Sequence, residues 1–211
     1  MRILYLILTA LCAYLLGGVN GAIIISKYVY HRDIRNYGSG NAGLTNYFRT
    51  IGGASSLLVV LIDILKSVLA CFIGGWLLGL LGAPAVGKLF AGFCLILGHM
   101  YPVYSQFRGG KGVLCGVVMA AAVDWRVGLG CFGVFLIAVV LTHYVSLGSM
   151  LGALSCPLWL WIAGYAPLEI VLGLLCALLI VIKHGENILR LIGGTEHRLN
   201  LKSKPQSRRK R

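Results

Sequence analysis

Apolar runs, most of them long enough to cross a bilayer, alternate along this chain with three short polar, glycine-rich clusters. The runs are Ile3–Val29, Ala54–Leu80, Val86–Val103, Val113–Val123, Val127–Val145, Leu147–Gly164 and Leu168–Ile182. A helix needs roughly 20 apolar residues to span a hydrocarbon core of ~30 Å, so the pattern predicts an all-α, polytopic transmembrane helical bundle of about seven spans, the fourth of them short. Gly82-Ala83-Pro84 and Gly164-Tyr165-Ala166-Pro167 are uncharged turns, where Gly ends one helix and Pro starts the next. The other connections are longer and carry the polar clusters; His31–Gly53 is the largest.

Composition agrees with the pattern. Of 211 residues, 58% are hydrophobic and only 12% charged, where a soluble domain has about a quarter charged. The formal charge of +13 is unevenly placed. With the N-terminus outside, the inner side collects Lys27, Arg32, Arg35, Arg49, Arg108, Lys111, Lys183, Arg190, Arg198 and the tail, and the outer side keeps Arg2, Lys88 and Arg126. All three clusters then face the cytoplasm. Anionic headgroups account for such a surplus beside membrane spans, and no nucleic-acid partner is needed. No linker divides the chain, which reads as one transmembrane domain over residues 1–201 and a basic cytoplasmic tail over 202–211. The apolar start continues past Val19 to Val29, too long for a signal h-region, and reads as a retained first span. Seven cysteines lie singly within apolar runs, without metal-ligand spacing, and read as small core residues.

The clusters carry the chemistry. The first runs from Gly38 to Arg49 and sets Ser39, Asn41, Thr45 and Asn46 among glycines before an arginine. Open backbone N–H groups and a bidentate guanidinium suit a phosphate; the plainer alternative is a helix cap by Ser39 or Thr45, with Arg49 reaching headgroups. In the second, Gly98-His99 and Pro102 lead to Arg108-Gly109-Gly110-Lys111-Gly112. Ser105 and Gly112 stand where a Walker A loop needs Gly and Ser/Thr, so no nucleotide triphosphatase follows. A glycine loop with two cations before an apolar run remains, either a phosphate cradle at a helix N-terminus or a topology anchor. In the third, His184 and Asn187 fall on one helical face, followed by Arg190 and Gly193-Gly194-Thr195-Glu196. Asp63 and Lys66 lie one turn apart inside the second run, where an unpaired charge is costly and pairing is expected. Ser146 and Ser149 sit at an inner junction, near the clusters or bonded between helices.

Absences narrow the chemistry. Six acidic residues, dispersed along the chain, offer no metal-binding cluster and no pair for glycoside hydrolysis. No His is followed five positions later by Asp, as in the common glycerolipid acyltransferases, and no Gly-x-Ser-x-Gly elbow is present.

In this order the clusters resemble the PlsY family, the bacterial membrane acyl-phosphate:glycerol-3-phosphate acyltransferases. The likeness rests on Gly38-Ser39-Gly40-Asn41-Ala42-Gly43-Leu44-Thr45-Asn46 with Arg49, on Gly98-His99 and Pro102 with Gly109-Gly110-Lys111-Gly112, and on His184-Gly185-Glu186-Asn187 with Gly194-Thr195-Glu196. It covers almost the whole chain. It implies acyl transfer from acyl phosphate to glycerol 3-phosphate, giving lysophosphatidic acid and phosphate without CoA, metal or other cofactor, in the cell (inner) membrane. A separate enzyme would make the acyl phosphate from acyl carrier protein. Ser39, Arg49, His184 and Asn187 would be catalytic. Asn41, Thr45, Asn46, Lys66, His99, Gly109, Gly110, Lys111, Gly112 and Ser146 would bind substrate, while Asp63 and Glu196 would support the site. Leu44 and Ser67 depart from the usual Ala and Gly. From the residues alone, a transporter of a phosphorylated solute and a non-catalytic scaffold stay open.

Overall fold

The structure is a computed structural model and describes residues 1–199; the basic tail expected over 202–211 lies outside them. The described residues contain helices, turns and loops and no strand. Eleven α-helices follow one another: α1 (Arg2–Gly18), α2 (Gly21–Ile24), α3 (Leu44–Thr50), α4 (Ser55–Gly79), α5 (Pro84–Met100), α6 (Val113–Val123), α7 (Trp125–Thr142), α8 (Val145–Leu154), α9 (Cys156–Ile162), α10 (Pro167–Ile182) and α11 (Gly185–Ile192). Five segments are long and apolar enough to cross a membrane: Arg2–Val29, Ser55–Gly79, Pro84–Ser105, Trp125–Thr142 and Val145–Ile162. A sixth results if α10 and α11, bent by 61°, form one span. The expected fourth run is the 11-residue α6, only about 17 Å long at 1.5 Å per residue.

α5 is the central helix, packed against α1 and α4 on one side and α6 and α10 on the other. Its glycines set the spacing. A methyl group on Gly98 would overlap Tyr14 O of α1, and one on Gly87 would overlap Gly74 O of α4. Small residues allow such backbone approach in a bilayer, where no hydrophobic drive holds helices together. Leu89, Leu95, Ile96, Met100, Met119 and Leu160 fill the interior, while Ile3, Leu57, Phe72, Trp125 and Leu141 point outward and are each at least two-thirds exposed. Helices satisfy their own backbone groups, so this apolar exterior needs no water.

The first run is broken. α1 ends at Gly18, and Asn20 restarts the chain by accepting from Ile23 N–H at 3.0 Å while its amide donates to Ala42 O at 2.9 Å. The break leaves the Gly17 and Val19 carbonyls without helical partners. Lys66 Nζ donates to both, at 3.2 and 2.7 Å, and pairs with Asp63 Oδ1 at 2.8 Å. The expected Asp63–Lys66 pair is therefore present, and it also closes a gap in a neighbouring helix.

Candidate active site

The three clusters meet. A cavity of about 320 Å³ at one end of the bundle is lined by Ser39, Asn41, Thr45, Asn46 and Arg49 of the first, His99, Lys111 and Gly112 of the second, and His184, Asn187 and Glu196 of the third, with Asp63 and Ser146 between them. Lys66, Gly109 and Gly110 do not line it.

Local hydrogen bonding explains how the first cluster is shaped. Asn46 is buried, and its amide donates to Tyr37 O at 3.0 Å and Asn41 O at 2.9 Å while its Oδ1 accepts from Ser39 N–H at 3.0 Å. It holds the loop's curve and has no donor left for a ligand. The capping alternative is not what forms: α3 begins after Gly43 with no side-chain cap. Asn41 Oδ1 is buried without a partner among the described residues, an acceptor that suits a hydroxyl. Leu44, one of the two departures, faces the cavity. Ser67, the other, is buried and donates back to Asp63 O at 2.6 Å.

The second cluster corrects one expectation. Gly109 N–H donates to Met100 O and Gly110 N–H to His99 O, so neither is an open donor for phosphate. These glycines serve by lacking side chains: a methyl on Gly109 would overlap His99 O, and one on Gly110 would overlap the His99 ring. Gly112, at φ +75°, turns the chain into α6, whose first residues Val113 and Leu114 border the cavity. First-turn N–H groups have no helical acceptor and favour an anion. Open backbone N–H groups are thus found at the start of α6 rather than at Gly109 and Gly110.

Glu196 organises the third cluster. Its Oε1 accepts from Ser146 Oγ at 2.8 Å and Asn187 Nδ2 at 2.7 Å, and its Oε2 from Arg190 Nε at 2.8 Å. Burial alone would raise this carboxyl's pKa; hydrogen bonds from Arg190, Asn187 and Ser146 outweigh it and hold the group below the usual carboxylate range. With its amide nitrogen so held, Asn187 turns its oxygen to accept from Lys111 Nζ. His184 is buried, and its Nδ1 lies 2.7 Å from Ile180 O. A carbonyl only accepts, so Nδ1 carries a proton, and the neutral ring then keeps its lone pair on Nε2.

Positive charge is in excess here. Arg190 pairs with Glu186 and Glu196, whereas Lys111 and Arg49 form no ion pair among the described residues. Burial pushes Lys111 down to about 8, Glu196 only partly opposing it. Burial also lowers Arg49, although a guanidinium stays charged at any working pH. Two cations without carboxylate partners, one neutral histidine base and a row of helix N–H groups describe a pocket for a phosphorylated substrate.

Sequence reasoning missed the cavity's other half. Beyond the polar groups it continues between Val113, Val117, Phe132 and Phe135, and a smaller apolar space of about 30 Å³ follows toward Met119, Cys156 and Gly173. Phe132 and Phe135 stack with centroids 5.8 Å apart. Nothing in the uniformly apolar runs of α6 and α7 separates a cavity-facing residue from a lipid-facing one. Arg190 and His197 also line the cavity; the sequence marks the first only as a neighbour of the His184–Asn187 pair and gives no signal for His197.

An anion-binding mouth leading into an apolar arm, within a multi-pass helical membrane protein, defines the class: a membrane protein that handles a phosphorylated compound together with a lipid chain. Comparison with known proteins supplies the family. The family described as "Glycerol-3-phosphate acyltransferase" matches residues 7–194. Among curated relatives, the glycerol-3-phosphate acyltransferase of Thermoanaerobacter sp. (strain X514) is 40% identical over 200 residues, covering 95% of this chain and 98% of the relative. That of Finegoldia magna is 41% identical over 203 residues, covering 94% and 98%. The crystal structure of PlsY (YgiH), an integral membrane glycerol 3-phosphate acyltransferase, superposes in its glycerol 3-phosphate form with a TM-score of 0.83 at 35% identity, covering 92% of this chain and 96% of that one. Its lysophosphatidic acid form gives 0.80 at 34% identity, covering 92% and 95%. The chain belongs to the glycerol-3-phosphate acyltransferase family.

Proposed function

We propose that this membrane acyltransferase moves an acyl group from acyl phosphate to glycerol 3-phosphate, releasing lysophosphatidic acid and inorganic phosphate. The observation that carries the reading is the pairing of Arg49 and Lys111, without carboxylate partners, with an apolar arm in one cavity. An acyl phosphate is an activated anhydride, so the protein's task is to hold two anionic reactants together and align them. Arg49, Lys111 and the N-terminus of α6 hold phosphate, Ser39 and Asn41 meet the glycerol hydroxyls, and the arm along Val117 and Phe135 receives the chain. The hydroxyl oxygen attacks the acyl carbon as its proton passes to His184 Nε2, and the bond to the phosphate oxygen breaks. The proton then leaves with phosphate, and no acyl-enzyme forms. Counting α6 and α10 as short crossings gives seven spans with the N-terminus outside. The cavity then faces the cytoplasm of a plasma or inner membrane, at the end that gathers Arg35, Arg49, Lys111 and Lys183, while Lys88 and Arg126 mark the other. The described residues, 1–199, belong to the single membrane domain expected from the sequence.

The test is direct. Purified protein given acyl phosphate and glycerol 3-phosphate, without CoA or ATP, is expected to form lysophosphatidic acid and phosphate in equal amounts. Absence of product would overturn the reading, and acyl groups trapped on Ser39 or a cysteine would overturn direct transfer.

Lys111 gives a pH signature. Its ammonium is lost as pH rises through about 8 in the free enzyme, so kcat/KM for glycerol 3-phosphate is expected to fall above that point. Arginine titrates far higher, and Lys111→Arg should flatten this alkaline fall even where overall activity drops. An unchanged alkaline limb in the variant would assign the titration elsewhere.

A further inference from the structure

Lys66 is turned away from the cavity, yet two of its neighbours, Asp63 and His99, line it. Lys66 is 5% exposed, and its ammonium sits 2.8 Å from Asp63 Oδ1, 2.7 Å from Val19 O, 3.2 Å from Gly17 O and 2.8 Å from His99 Nδ1. The three oxygens can only accept. An ammonium paired with a carboxylate has three protons and no lone pair, so it can only donate to His99. His99 Nδ1 therefore carries the ring's lone pair, and the ring proton sits on Nε2. That second nitrogen forms no hydrogen bond to another described residue, although the ring lines the cavity. Gly110 is what leaves it uncovered, since a methyl group there would overlap Nε2. Two separate features, a buried charge pair behind the ring and a missing side chain beside Nε2, leave the same N–H free on a ring that lines the cavity.

We propose that the Asp63–Lys66 pair is a positioning device: it locks His99 in the Nε2–H tautomer, so that His99 offers a fixed hydrogen-bond donor to an oxygen of the acyl phosphate. Lys66 then acts through His99 and does not itself touch phosphate. His184 and His99 become complementary. His184, tied through Nδ1–H to a carbonyl, presents a lone pair; His99, tied through its Nδ1 lone pair to an ammonium, presents a proton. One takes the hydroxyl proton while the other steadies negative charge on the donor substrate. The proposal rests on the acyl-transfer reading, but the ring protonation is measurable without turnover, so the two fail separately.

The experiment labels histidine with 15N in the full chain in lipid nanodiscs and identifies the His99 ring by its disappearance in His99→Gln. In the unaltered protein the expected spectrum shows Nδ1 bare and Nε2 protonated. In Asp63→Asn/Lys66→Met, which removes both charges together, this preference is expected to give way to a mixture of tautomers. Kinetics supply the second readout. A glutamine amide reaches the place of Nε2 and an asparagine amide does not, so His99→Asn is expected to lower kcat by about a hundredfold and His99→Gln by clearly less. A His99 protonated on Nδ1 or on both nitrogens in the unaltered protein would overturn the proposal, whether or not the double variant folds. Equal losses for Gln and Asn would overturn the donor role. An unchanged tautomer in the double variant, with only a raised KM for glycerol 3-phosphate, would place Lys66 on the phosphate instead.

Discussion

His184→Ala is expected to lower kcat by about a thousandfold while leaving the KM for glycerol 3-phosphate within a few-fold of its starting value, the scale of a lost general base. The direction follows from the ring's tautomer. Nδ1 is committed to Ile180 O at 2.7 Å, so Nε2 is the free acceptor, and the ring is buried against the cavity with no freedom to swap roles. On the proposed reading, phosphate affinity depends on Arg49, Lys111 and the start of α6, none of which the change replaces. Stopped-turnover kinetics with separate titration of each substrate checks the split. A raised KM with kcat preserved would make His184 a binding group and return the proton to a substrate phosphate. His184→Gln is the companion variant: it fills more of the space but cannot take a proton, and it should be nearly as slow.

The second large effect is on stability. Asp63→Ala would strand the Lys66 ammonium among three neutral acceptors inside the bundle, and breaking one partner out of a buried pair costs about 3–5 kcal/mol. Thermal unfolding in detergent should show the loss. Removing both partners with Asp63→Ala/Lys66→Met is expected to recover part of it, because no charge is then left unpaired. Recovery stays incomplete, since Gly17 O and Val19 O lose the donor that reaches them at 3.2 and 2.7 Å. A double variant no more stable than Asp63→Ala would show that the carbonyls, rather than the carboxylate, are what the ammonium is there to satisfy.

How much of this was legible in the sequence depended on whether a residue's role is written in its own type. Long apolar runs announce helices because a bilayer demands length and little else, and α4, α5 and α7 fall where those runs predicted. Arg49, Lys111 and His184 announce themselves because charge and imidazole are expensive or rare in such surroundings, and the cavity brings all three together. Roles that depend on a neighbour were hidden. Asn46 looked like a ligand-binding amide, but the loop consumes every one of its donors. Gly109 and Gly110 looked like backbone donors, yet their N–H groups are taken and their value lies in empty space beside His99. Lys66 looked like a phosphate cation, and the break at Asn20 that claims it became visible only in three dimensions. The apolar arm left no trace, because Phe132 and Phe135 differ from lipid-facing residues in direction alone.

Glu196 anchors Ser146, Asn187 and Arg190 and follows all three along the chain. During synthesis Arg49, Lys111 and His184 therefore emerge before the carboxylate that arranges the groups beside them. A nascent chain has no finished reaction chamber until the stretch around Glu196 docks, so a water-sensitive anhydride meets either an immature protein that does not process it or one with the chamber assembled. Shortening the chain ahead of Glu196, or crowding that stretch with a bulky fusion, should leave the bundle inserted and the chemistry silent.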